Sequence, residues 1–169
     1  MNAQPGIMHE PRPFARYLTG HLRLDADPEA TRTALRRLEI DARTVVGIGP
    51  GLAAALDLAR PSLRPFPALA GPGAVVPSTQ ADLWIWLADT AIGEPVVRAG
   101  ALMEALAEGF DFVAPVDGFK YGSTVSGRGR DLTGYEDGTV IPTGDAAVVA
   151  TSAEAGSSFV AVQGWQLEV

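Results

Sequence analysis

Apolar and polar residues alternate over residues 14–24, the first regular pattern in the chain. Leu18 and Leu22 fall on one side of the alternation, and Thr19 and His21 fall on the other. A period of two residues is typical of a β-strand that turns one face toward a core. The sequence therefore predicts a strand with a polar outer face.

Asp27 marks a change to helical spacing. It supplies an N-cap carboxylate, Pro28 suits the first helical turn, and Glu29 lies near the positive end of the helix dipole. Apolar side chains then recur every three to four residues, which predicts a helix with one buried stripe. A β-branched run over residues 43–49 predicts the strand that follows.

The same succession of patterns occurs a second time after a proline-rich stretch, residues 60–80, that predicts a long loop. Leu83, Ile85 and Leu87 alternate with two tryptophans, so this strand is apolar on both faces and is expected to be central. Helical spacing returns over residues 94–108 and ends at a glycine.

A final alternation, over residues 110–116, predicts a strand with Phe112 and Val116 on the same face. The order strand, helix, strand, strand, helix, strand predicts an α+β, ferredoxin-like fold, with a four-stranded antiparallel sheet and helices on one face. We assign residues 1–117 to that domain. Residues 118–169 remain, with a short helix predicted from Asp145 and a strand, apolar on both faces, predicted from Ser158.

Composition narrows the function classes. The chain has 169 residues and 47% apolar content, which suits a globular domain with a real core. Its net charge of −7 argues against nucleic acid or an anionic membrane as a partner. The absence of cysteine excludes disulfides and thiolate ligands. The first residues lack a basic segment followed by an apolar one, so a cytoplasmic location is expected.

Two glycine-rich stretches are candidates for function. Gly47-Ile48-Gly49-Pro50-Gly51 lies between a strand and a helix, but leucine at position 52 and the missing amide of Pro50 disfavour nucleotide binding. Residues 130–139 read Arg-Asp-Leu-Thr-Gly-Tyr-Glu-Asp-Gly-Thr, too charged and glycine-rich for a helix or strand interior. Composition alone leaves two interpretations open: an Asp-Gly turn between strands, or a loop that projects Asp137 toward a ligand.

The second of these stretches resembles the G-x-x-D-G loop of the dye-decolourising (DyP-type) haem peroxidases of bacteria. Three other segments are similar to that family: residues 64–69, residues 76–84 and residues 156–163. The resemblance covers nearly all of this chain but only the N-terminal half or so of a usual family member. It implies that residues 118–169 hold this loop and the start of a second ferredoxin-like half, the pair forming a fold of the dimeric α+β barrel type.

The resemblance also implies a chemistry. The cofactor would be haem b, and the protein would reduce hydrogen peroxide while oxidising an organic electron donor. Asp137 would be the catalytic residue, moving a proton between the two peroxide oxygens. The candidate haem-binding residues are Gly134, Glu136, Gly138, Thr139 and Arg130. Arg128 and Arg130 are also candidates to keep Asp137 ionised.

One part of the family pattern is missing. The family takes its axial histidine from its C-terminal half, whereas this chain has only His9 and His21, and neither follows the ligand motif. No residue is therefore predicted to bind metal. We expect either that activity needs a separate C-terminal half or that the sequence is a truncated product. The alternative is a haem-free binding or scaffold protein that forms a homo-oligomer, such as a dimer with its sheets face to face.

Overall fold

The computed structural model describes residues 3–58, 60–122, 129–136, 141–151 and 157–164. The strands are β1 (Phe14–Leu22), β2 (Thr44–Ile48), β3 (Leu69–Gly71), β4 (Ala74–Val76), β5 (Leu83–Asp89), β6 (Phe110–Phe112) and β7 (Val116–Phe119). The helices are a 3-10 turn (Pro5–Met8), α1 (Pro28–Arg36), α2 (Pro50–Ala55), α3 (Gly93–Ala105) and α4 (Gly144–Ala150).

The main sheet is antiparallel, with the order β2-β5-β1-β6 and with β7 also paired to β1. This is the strand order of a ferredoxin-like unit, so the predicted fold class is confirmed. The predicted central position of β5, between β2 and β1, is confirmed as well. The described strands form an open sheet rather than a closed barrel.

One face of the sheet, here called the helix face, holds the core. Leu18, Leu83, Ile85 and Leu87 are completely buried on it. Each fully buried side chain of this size stabilises the fold by about 1.5–3 kcal/mol. Side chains of α1, α2 and α3 cover them, among them Ala34, Leu35, Leu52, Leu56 and Ala99. The predicted start of α1 is confirmed because the Asp27 carboxylate accepts a hydrogen bond from the Ala30 amide at 2.6 Å.

The opposite face, here called the tryptophan face, carries a stack of three aromatic rings. Tyr17 lies 5.9 Å from Trp84 and 6.4 Å from Trp86, measured between ring centroids. Val45 and Val116 continue the row of Trp86 and Tyr17 across the sheet. Burial raises the pKa of the Tyr17 hydroxyl, since the ionised form would lose its hydration.

Residues 3–13, here called the lead-in, lie beside β2. The Gln4 side chain donates to the Val46 carbonyl at 2.6 Å and accepts from the Val46 amide at 2.8 Å. The amide group thus does what a neighbouring strand would do for the outer edge of β2, which would otherwise expose unpaired backbone groups. Gly6 is buried next to Val45, where an added Cβ would come within 2.8 Å of the valine side chain.

The prediction of one continuous strand over residues 110–116 was wrong. Phe112 pairs with Gly20, and Val116 pairs with Tyr17. The chain therefore advances four residues from Phe112 to Val116, whereas β1 advances only three between their partners. The extra residue forms a β-bulge next to Pro115, which has no amide to donate. Because one added residue reverses the alternation, Phe112 faces the core whereas Val116 faces the tryptophan side.

The remaining expectations had mixed outcomes. The long loop over residues 60–80 contains a small hairpin of β3 and β4 that was not predicted. The helix predicted from Asp145 is present as α4, but none of its residues is buried. Residues 158–164 form no strand within the described part of the chain, contrary to the prediction. Among the helices described, none has the length and apolar character needed to cross a bilayer.

Candidate functional site

The candidate loop follows β7, and it begins where the chain comes back antiparallel to Tyr121. Tyr121 and Arg130 form an antiparallel bridge, in which the Arg130 amide donates to the Tyr121 carbonyl at 3.0 Å. Arg130 is also bridged to Glu136 on its other side. Residues 130–136 therefore form a narrow loop whose two ends lie together. All of its side chains are exposed.

Asp131 organises this loop. One of its carboxylate oxygens, Oδ1, accepts hydrogen bonds from the Thr133 amide at 2.9 Å, the Thr133 hydroxyl at 2.6 Å and the Tyr135 amide at 3.0 Å. Its backbone amide donates to the Tyr135 carbonyl at 3.0 Å. The Asp131 side chain thus replaces backbone partners that a loop of this length cannot provide for itself.

These hydrogen bonds also set the charge of Asp131. The Thr133 hydroxyl is the largest influence holding the pKa of this carboxyl below its usual value, slight desolvation opposes it, and the Tyr135 and Thr133 amides lower the pKa further. Asp131 is therefore ionised at neutral pH, in the state that accepts all three bonds. Its importance was missed at the sequence level, although an aspartate followed two residues later by threonine is a recognised turn signal.

Gly134 and Arg130 close the loop from the other side. Gly134 has φ +94°, a conformation that residues with a side chain rarely adopt, and its amide donates to the Asp131 carbonyl at 3.1 Å. The Arg130 guanidinium donates to the Gly134 carbonyl at 2.6 Å. Both residues were predicted to contact a cofactor, and that role remains a prediction. What the structure shows is that they maintain the shape of the loop.

The other predicted site residues divide into two groups. Glu136 lies at the end of the loop, paired with Arg130 in the backbone bridge. Asp137, Gly138 and Thr139 follow directly but lie outside the described residues, as does Arg128. The structure therefore describes the loop up to the residue before the predicted catalytic carboxylate.

Neither histidine belongs to the loop. His21 lies on β1 opposite Asp111, at the far end of that strand from Phe14, which pairs with the last residue of β7. His9 lies in the lead-in, exposed, with Nδ1 3.0 Å from the Glu10 carbonyl. Within the described ranges, no three histidine or carboxylate side chains come together as metal ligands would.

A separate group of charged residues joins β2, β5 and α3. Asp41 forms ion pairs with Arg43 at 3.0 Å and Arg98 at 3.3 Å, and Arg98 also donates to the Thr44 hydroxyl. Burial alone would raise the pKa of Asp41, but the hydrogen bonds from Arg43 and Thr44 and the charge of Arg98 outweigh it and lower the pKa to about 2. All of these cations have carboxylate partners, so the group is structural.

The described residues of the loop can be compared with what a haem requires. Leu132 and Tyr135 place exposed apolar side chains on the loop. A haem iron also needs an axial ligand. The loop supplies no imidazole, because its described side chains are carboxylate, hydroxyl, guanidinium or apolar groups. The described loop therefore does not supply this ligand, and its fit to a haem stays a prediction.

Comparison with known proteins gives a consistent set of relatives. No protein-family profile matches the chain. A dye-decolorizing peroxidase from Mycobacterium tuberculosis is 32% identical over 107 residues, which amount to 60% of this chain and 30% of that protein. The aligned region thus covers less than a third of the length of this curated relative.

Solved structures give a longer match. DyPB from Rhodococcus jostii RHA1 is 26% identical, with a TM-score of 0.68 over 87% of this chain and 50% of that one. The encapsulated DyP-type peroxidase from Mycobacterium smegmatis is 26% identical, with a TM-score of 0.67 over 89% of this chain and 51% of that one. Variants of the Rhodococcus protein have been solved in complex with heme. The present chain spans about half the length of these proteins.

Proposed function

The chain is related to the DyP-type peroxidases, whose cofactor is haem, and from that premise we propose that it forms the distal half of such an enzyme. The complete protein would reduce hydrogen peroxide and oxidise an organic donor. A second half, joined to this one or separate, would supply the axial histidine. Residues 1–117 would be the first ferredoxin-like domain, and residues 118–169 would carry the loop and lead into the second.

Some residues of this chain would hold the loop in place, and one would transfer a proton. Asp137 would take the proton from one peroxide oxygen and return it to the other, which is general acid–base catalysis. The glycine at position 138 would let the backbone approach the porphyrin edge. Haem would supply the iron that binds peroxide and stores the oxidising equivalents. Asp131 would hold the loop in shape up to Glu136, so that little reorganisation is needed when peroxide arrives.

One observation supports the need for a second half. In the described part of the chain, no residue after Phe110 is buried. Large apolar side chains in this region are more than half exposed, namely Val116, Phe119, Tyr121, Leu132, Tyr135, Val148, Val149, Phe159, Val160 and Val162. A soluble protein rarely leaves so many apolar groups in water unless another surface covers them.

Haem reconstitution tests the proposal. The chain is mixed with haemin in the presence and absence of a recombinant C-terminal half from a DyP-type relative. We expect a Soret band typical of an imidazole-ligated haem, and peroxide-dependent oxidation of a dye, only when both halves are present. The Asp137→Asn variant should keep the Soret band and lose at least about 100-fold in turnover, the usual contribution of a general acid–base group.

Sedimentation measurements on the same mixtures distinguish this proposal from the alternative, a haem-free homo-oligomer. A haem-free homo-oligomer would cover the exposed apolar residues with a second copy of the chain. Analytical ultracentrifugation would then show a stable dimer that takes up no haem from either mixture. A dimer without haem, or full activity in Asp137→Asn, would overturn the peroxidase proposal.

A further inference from the structure

The strand β2 lies at one end of the main sheet, and among the described strands it pairs only with β5. On either side of β2, the Arg43 carbonyl and the Gly49 amide form hydrogen bonds toward the chain of β5, at 2.9 and 2.8 Å. Successive residues of a strand turn their backbone groups to opposite edges. The even-numbered residues of β2 therefore turn theirs to the outer edge, namely Thr44, Val46 and Ile48.

This outer edge is chemically suited to pair with another strand. The strand β2 reads Thr-Val-Val-Gly-Ile and contains no charged residue and no proline, the residues by which edge strands commonly avoid pairing. The Thr44 amide donates to the Asp41 carbonyl at 3.3 Å. In the middle of the edge, both backbone groups of Val46 are bonded to the Gln4 side chain. The protection of this edge therefore depends on the lead-in.

The Gln4 carboxamide reproduces the bonding of an opposing strand residue. In a hydrogen-bonded pair of an antiparallel ladder, two opposing residues exchange both of their backbone bonds. The Gln4 side chain makes the same exchange with Val46, donating at 2.6 Å and accepting at 2.8 Å. Two copies of β2 related by a two-fold axis at Val46 could exchange these bonds with each other, because such a contact is self-complementary. A second copy and Gln4 thus compete for the same two groups.

We propose that the lead-in covers a self-association edge, and that the chain forms an antiparallel dimer through β2 when Gln4 is removed from Val46. The lead-in is held at a second point, because Gly6 is buried beside Val45, where an added Cβ would lie 2.8 Å from the valine side chain. Dimer formation is therefore controlled by how firmly the lead-in binds. This inference is independent of the proposed peroxidase function.

Hydrogen exchange at the Val46 amide and sedimentation velocity test the proposal together. In Gln4→Ala this amide loses its acceptor, so at low protein concentration it should exchange about five- to tenfold faster than in the wild type. As the concentration rises, exchange should slow again while a dimer appears. The dimer should be at least about tenfold tighter than any dimer of the wild type, because two hydrogen bonds no longer compete with the second copy. Gln80→Ala, which removes a glutamine amide that contacts only the loop of residues 60–80, is the matched control and should behave as the wild type.

Two further variants give opposite expectations. Gly6→Val crowds Val45 and displaces the lead-in without altering Gln4, so it should promote the same dimer. Adding Ile48→Lys to Gln4→Ala places a charge on the outer edge of β2 and should restore the monomer. A dimer that survives Ile48→Lys, or one in which the Val46 amide exchanges at the same rate at every concentration, would have its interface elsewhere and would overturn the proposal. So would Gln4→Ala or Gly6→Val remaining as monomeric as the wild type.

Discussion

Gly49 offers the sharpest test of how the fold is built. It lies between β2 and α2, and its backbone runs against the chain just before β5. A Cβ added at this glycine would lie 1.9 Å from the carbonyl oxygen of Ala81. The Gly49 amide also donates to the Asp82 carbonyl at 2.8 Å. In Gly49→Ala the two segments must therefore separate, since the obstacle is backbone and cannot rotate away.

The expected loss of stability follows from three contributions. Forcing extra volume into a packed site costs about 1–3 kcal/mol, and a backbone obstacle puts this change at the upper end. Weakening the hydrogen bond to Asp82 adds about 1 kcal/mol. The φ of Gly49, −83°, suits alanine. Alanine makes the unfolded chain less flexible than glycine does, which offsets the loss of stability by about 0.4–1 kcal/mol. The net expectation is a destabilisation of about 3 kcal/mol.

Urea denaturation followed by tryptophan fluorescence measures this change, because Trp84 and Trp86 belong to the sheet that must open. With a slope of about 2 kcal/mol per M, the midpoint should fall by about 1.5 M. Gly100→Ala is the matched control. Gly100 lies inside α3 with no atom near its added Cβ, so alanine should stabilise the protein by about 0.5–1 kcal/mol. A midpoint unchanged in Gly49→Ala would refute the steric argument, and so would an equal loss in Gly100→Ala.

Two further predictions concern single carboxylates. Since the folded pKa of Asp41 is about 2 against an unfolded value of 3.8, its stabilisation is complete above about pH 4 and is lost as the pH falls toward 2. The Asp41 side chain is 40% exposed, so after solvent screening we expect Asp41→Asn to lose about 1 kcal/mol at pH 7 in urea denaturation, and Asp111→Asn to lose almost none. In the loop, Asp131→Ala should speed hydrogen exchange of the Thr133 and Tyr135 amides about five- to tenfold, and Asp131→Asn should have an intermediate effect. Unchanged exchange in Asp131→Ala would contradict the organising role of Asp131.

The sequence sufficed for the elements whose side-chain period is itself the physical signal. Alternation located β1 and β5 because one face of each strand must meet the core, and the Asp27-Pro28-Glu29 cap located α1. Both are local rules. The order of these elements then left few possible topologies, and the ferredoxin-like one was confirmed.

Features that depend on two distant segments were not accessible in this way. The bulge near Pro115 arises from the register between β1 and its partners, and the sequence around it still alternates. The Gln4 side chain pairs with Val46 only because the lead-in lies beside β2. The sequence around Gly49 indicates a turn between a strand and a helix, but its close neighbour, Ala81, is remote in sequence.

The two parts of the chain differ in how many of their apolar side chains they bury, and this difference bears on function. The sheet and its three covering helices bury a core, whereas the loop of residues 130–136 and the residues described after it include none that is fully buried. A carboxylate in open solvent is a weaker catalyst than a positioned one, because its charge is screened and its direction is not fixed. Proton transfer by Asp137 would need a second surface that covers the loop and excludes solvent. The apolar side chains exposed after Phe110 are where such a surface would bind.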